Sequence, residues 1–138
     1  MDLAEDGGAT MIVAGMGCRR GTPVNELEAA LLSACDRARI DPASIRALAT
    51  GRIKANETGL IDLAQRLGLP LHIVGDEELR ASAPRTHTIS RQSLAHTQST
   101  SLSEAAALAV AGASALLIAT RIVTKRATCA LAQSAEAQ

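Results

Sequence analysis

Apolar residues in this sequence gather either in short continuous runs or in longer stretches at helical spacing, and the two kinds alternate along the chain. The run at 11–16, closed by Gly15 and Gly17, predicts a buried first strand. Thr22 then offers an N-cap hydroxyl, and Pro23 suits the first helical position, where a missing N–H costs nothing. Leu27, Leu31, Ala34, Cys35 and Ala38 follow at helical spacing, so a helix is expected to about residue 39. Asp41 and Pro42 begin a brief helical turn, and 45–50 predicts a second strand. A second helix starts near Asn56 or Glu57, carries Leu60, Ile61, Ala64 and Leu67 on one face, and stops at Gly68. Residues 71–74 predict a third strand, and Asp76 a cap for a short helix over 77–81.

From 84 to 100 the periodicity disappears, and Ser, Thr, Gln and His predict a long irregular loop. Ser101 and Glu104 have capping-box spacing and begin an Ala-rich helix to about residue 111. Residues 115–124 and 127–131 predict two strands, and the short link at Lys125-Arg126 makes them antiparallel. The sum is a single α/β domain of three layers, α/β/α, with a mixed, mostly parallel sheet and a C-terminal antiparallel hairpin. Ligands bind outside the carboxyl ends of strands in such sheets. The loops at 17–22, 51–57 and 75–100 are therefore expected to converge on one rim.

Composition narrows this picture. Apolar residues make up 47 % of 138 positions, yet none is aromatic, so the core is built from Leu, Ile, Val, Ala and Met. Formal net charge is zero and there are no aromatic stacking platforms, which argues against nucleic acid or an anionic membrane as partner. Cys18, Cys35 and Cys129 have no zinc or disulfide spacing, which fits a reducing cytoplasm, and no metal or cofactor is expected. Residues 1–10 are acidic and read as a disordered extension rather than a signal peptide, with Met11 as an alternative start. Residues 133–138 read as a disordered tail, leaving a domain at 11–132. The Ala-rich stretch near 105–119 is broken by Gly112 and Ser114, which argues against a membrane span.

The loop Gly17-Cys18-Arg19-Arg20-Gly21-Thr22 carries the strongest chemical signal. Its glycines permit a tight turn, the helix start offers free N–H groups, and Arg19 and Arg20 add charge where the dipole already favours an anion. A plain βα turn with solvated arginines is the competing reading. Cys18 lies where a thiolate could be stabilised, but the phosphatase pattern needs an arginine six positions later, and that position is Val24. Neither a Walker loop nor a dinucleotide fingerprint is met. Lys54 is a cation near a helix N-terminus, a misfit that suits either a ligand contact or simple exposure. Glu57 fits a helix-start carboxylate, and Glu104 a capping box. His72, His87 and His96 are not spaced as ligands on one element.

Three blocks resemble the CobE/CbiG C-terminal family of cobalamin biosynthesis, over roughly residues 11–132. The first runs from Gly15 to Thr22. The second holds Ala49-Thr50, Lys54, Glu57, Gly59 and Leu60 and continues to Leu71. The third is Ser103-Glu104-Ala105-Ala106-Ala107-Leu108, followed by Thr128-Cys129-Ala130-Leu131-Ala132. Two departures stand out: Gly51-Arg52 replaces an apolar and an acidic residue, and Arg121 stands where the family commonly has lysine.

The resemblance implies a role in building the corrin ring. A precorrin or corrin intermediate bears many carboxylates, and a rim holding Arg19, Arg20, Arg52 and Lys54 suits it. Thr50, Glu57 and Glu104 join the ligand-binding candidates with Gly17, Cys18, Gly21 and Thr22. The chain is then a carrier or accessory factor. An alternative is an accessory hydrolase acting on the precorrin lactone or its two-carbon fragment, with Lys54, Glu57 and Glu104 as candidate catalytic residues. Another is a module docking on other cobalamin-pathway enzymes through the polar loop.

Overall fold

A computed structural model describes residues 11–82 and 102–134, and the elements follow the expected alternation. The order is β1 (Ile12–Cys18), α1 (Val24–Ala38), β2 (Ile45–Gly51), α2 (Thr58–Leu67), β3 (Leu71–Val74), α3 (Asp76–Ser82), α4 (Leu102–Ala111), β4 (Leu116–Val123) and β5 (Ala127–Gln133). Short 3-10 turns at Pro42–Ser44 and Arg52–Lys54 flank β2. The expected extension at 1–10, the polar loop at 84–100 and the tail beyond 134 lie outside the described residues. β5 reaches Gln133, and just beyond it the Ser134 N–H donates to the Met11 carbonyl at 2.9 Å.

The five strands form one sheet in the order β3-β2-β1-β5-β4. β1 pairs in parallel with β2, and β2 with β3, while β5 is antiparallel to both β1 and β4. Four strands therefore run one way and β5 alone is reversed. This is the mixed sheet and terminal hairpin that the apolar runs predict.

Alternation along the strands divides two cores between the two faces. Ala14, Met16, Leu48, Cys129 and Leu131 face α1 and α2, meeting Leu27, Leu31, Leu60 and Leu63. Val13, Ala47, Ala49 and Ala132 face α4, meeting Ala106, Ala107 and Leu108, with Leu79 of α3 packed alongside. The second face is built from small residues, and this brings α4 very near the sheet. A Cβ at Gly15 would lie 1.9 Å from the Ser103 carbonyl oxygen and 2.9 Å from the Ala107 Cβ. Without aromatic side chains to fill space, close packing is reached by bringing backbones together.

Several boundaries differ from expectation for local reasons. Thr22 does not cap α1: Pro23 holds the N-cap position, extended at φ −66° and ψ 152°, and Val24 is the first helical residue. The Thr22 hydroxyl instead donates to the Arg19 carbonyl at 2.7 Å and to that of Arg126 at 3.3 Å. Asp76 lies in the first turn of α3 rather than capping it. Ser101 is outside the described residues, and a Glu104 carboxylate oxygen reaches across to β4. The end of α2 is as expected, with Gly68 in the left-handed conformation at φ 68°.

Candidate functional site

Parallel pairing puts the ends of β1 and β2 on one rim, and the loops that leave them are fastened together. Loop 1 continues the β1–β5 ladder for one bond, Arg19 N–H to the Arg126 carbonyl at 2.9 Å. It then turns at Gly21, whose φ of 78° favours glycine. The Gly21 N–H donates to Glu57 Oε1 at 3.1 Å, so the residue just before α2 holds the turn just before α1. Gly59 tightens the same junction: a Cβ there would stand 2.4 Å from the Thr22 carbonyl oxygen and 2.8 Å from Leu27 Cδ1.

Cys18 lies at the centre of this junction. Burial pushes its thiol above the ordinary value, the Glu57 carboxylate pushes it further up, and Lys54 with a hydrogen bond from Thr22 pulls partly back. The thiol is therefore protonated near neutral pH, unlike the thiolate a nucleophile needs. Cys18, Gly21, Thr22, Lys54 and Glu57, all picked out from the sequence, are brought together here. Arg19, Arg20 and Arg52 stand exposed on the same two loops. None of these three, nor Lys54, forms an ion pair with a described residue, whereas Arg66 and Arg126 are paired with Glu28 and Glu26.

The remaining candidates sit elsewhere. Thr50 is fully buried, and its hydroxyl donates to the Met16 carbonyl at 2.8 Å, tying β2 to β1 beneath the rim. Gly17 lies within β1, and a Cβ there would meet Thr128 Oγ1 at 2.7 Å. Glu104, in the first turn of α4, is completely buried, and its Oε2 accepts the Arg121 N–H at 2.8 Å. The start of its helix packs against the strand ends, where a Cβ at Gly51 would stand 2.9 Å from Leu102 Cδ1 and one at Gly17 3.8 Å from Leu102 Cδ2. The sequence reading passed over Arg126, whose carbonyl receives both Arg19 and Thr22. A turn arginine carries no sequence signal for that role, because its backbone does the work.

His72 is exposed on β3, and His87 and His96 lie outside the described residues. Among the described residues no group of His, Cys, Asp or Glu could hold a metal ion. No described helix is long and apolar enough to cross a membrane.

The order of these elements matches known proteins. The family model described as Cobalamin synthesis G C-terminus matches residues 12–132. Protein CobE of Sinorhizobium sp. is 35 % identical over 121 residues, covering 88 % of this chain and 79 % of that protein. The cobalt-precorrin-5A hydrolase of Salmonella typhimurium is 36 % identical over 69 residues, covering 50 % of this chain and 20 % of the hydrolase. The crystal structure of a CobE from the cobalamin (vitamin B12) biosynthetic pathway superposes with a TM-score of 0.85 at 34 % identity, covering 94 % of each chain. A domain-long match in sequence, together with the shared fold, carries the assignment: this chain belongs to the cobalamin synthesis G C-terminal family and is a cobalamin biosynthesis protein of the CobE and CbiG C-terminal type.

Proposed function

We propose that the chain binds a polycarboxylated precorrin or corrin intermediate at the joined β1–α1 and β2–α2 loops, as a carrier or accessory factor. The observation that carries this reading is the Gly21–Glu57 bond. It unites the loop bearing Arg19 and Arg20 with the segment bearing Arg52 and Lys54, which gathers four cations that form no ion pair with a described residue. Guanidinium forks match carboxylates, and several together suit a ring edged with acetate and propionate groups. Free thiols at Cys18, Cys35 and Cys129 support a cytoplasmic setting.

The protein has no Phe, Trp or Tyr, so the ligand's own colour must report binding. Titration of cobyrinic acid, a corrin with free carboxylates, is expected to give a saturable change in its visible spectrum. Replacing both Arg19 and Arg20 by Ala is expected to weaken binding about tenfold or more. A wild-type protein that leaves the spectrum unchanged, or a double variant that binds equally well, overturns the reading.

A second reading, an accessory hydrolase, draws on the partial match to the hydrolase, of which this chain spans a fifth. Lys54 and Glu57 are the groups it would use, and the protonated Cys18 thiol is not. Glu104, the third candidate, is completely buried, with its Oε2 accepting the Arg121 N–H. Release of a two-carbon fragment from an authentic precorrin lactone by the isolated chain would establish it, and no release would dismiss it. Docking on other pathway enzymes was expected through residues 84–100, which lie outside the described residues.

A further inference from the structure

On β4 the pairing with β5 slips. Ala119 is opposite Leu131 but Ile122 is opposite Cys129, so β4 carries one extra residue between them. Ile118, Ala119 and Ile122 all pack on the α1 side of the sheet, so the regular alternation of side chains is broken along this stretch. At the slip the Arg121 backbone N–H bonds to the buried Glu104 carboxylate at 2.8 Å. The Arg121 Nε is itself buried and has no hydrogen-bond partner. Its guanidinium forms no ion pair with Glu104 or any other described residue.

A buried donor on a charged group is rarely left without an acceptor. The strand is bulged here, and a buried carboxylate fixes the backbone from which the guanidinium extends. We propose that Arg121 anchors an anionic group, a ligand carboxylate or a small oxyanion, at the slip in β4. A guanidinium is shaped for either, since its fork meets two oxygens at once. This goes beyond the loop reading and does not depend on it, because the residues are different and lie on another strand.

The test uses the isotope-labelled full chain and follows the Arg121 Nε–H resonance, assigned by its loss in Arg121→Lys. Succinate and sulfate are titrated separately, with chloride at matched ionic strength as control. A saturable downfield shift with succinate supports a carboxylate anchor; a shift with sulfate alone supports an oxyanion anchor. In calorimetry Arg121→Gln is expected to weaken that same anion about tenfold, and Arg121→Lys less. A resonance that responds to neither anion overturns the proposal. So does the pattern of a mere counter-charge to Glu104: Arg121→Gln melts lower, adding Glu104→Gln restores it, and no anion binds. Failure of the loop reading is seen in the cobyrinic acid spectrum and leaves this resonance untouched.

Discussion

Glu57 accepts the N–H of Gly21 at 3.1 Å, so a carboxylate of the chain itself occupies a donor of the turn marked as an anion site. An incoming carboxylate aimed at that N–H must compete with Glu57. Removing the side chain frees the donor and takes one negative charge off the rim. Glu57→Ala is therefore expected to bind cobyrinic acid several-fold more tightly, and to lose about 1 kcal/mol of stability. Paired spectral titrations and denaturant melts check both effects.

The Cys18 thiol gives the pH test. Burial and Glu57 raise it while Lys54 and Thr22 lower it, so it deprotonates only above the ordinary thiol range. Alkylation of Cys18 by iodoacetamide should be slow at neutral pH and rise with a midpoint above that of a free thiol. Glu57→Gln moves the midpoint down, and Lys54→Met moves it up. Cys35 and Cys129 are buried, so mass spectrometry of the native protein isolates the Cys18 signal.

Gly15→Ala tests how α4 is seated. The added methyl would overlap a backbone oxygen, Ser103 O, rather than the end of a flexible side chain. Helix α4 must then shift as a body, at a cost of about 3 kcal/mol or more. Thermal melts and hydrogen exchange across Leu102–Ala111 should show the loss concentrated in α4.

Thr50→Val separates structure from binding. The change removes the donor to the Met16 carbonyl inside the sheet and is expected to cost about 1–3 kcal/mol. Affinity for cobyrinic acid should stay within about twofold of wild type, because Thr50 is fully buried beneath the rim. A large loss of affinity without loss of stability would return Thr50 to the ligand site.

Local patterning is enough to specify the elements and their order. Continuous apolar runs separated from helical-period runs are local patterns, and a strand or helix cannot bury its face otherwise. The short link at Lys125-Arg126 likewise forces an antiparallel hairpin whatever the rest of the fold does. The loop from Gly17 to Thr22 was legible for the same reason, since glycines, arginines and a helix start lie within a few residues. Which distant residues meet, by contrast, follows from the assembled fold. Glu57 reaches Gly21 across 36 positions, Thr50 reaches Met16 across 34, and a Glu104 carboxylate oxygen accepts the Arg121 N–H of the slipped strand across 17. Those partners depend on sheet order and strand register, which arise from the packing of whole faces. A single residue's identity states what it can bond to, and only the assembled faces determine what stands within reach.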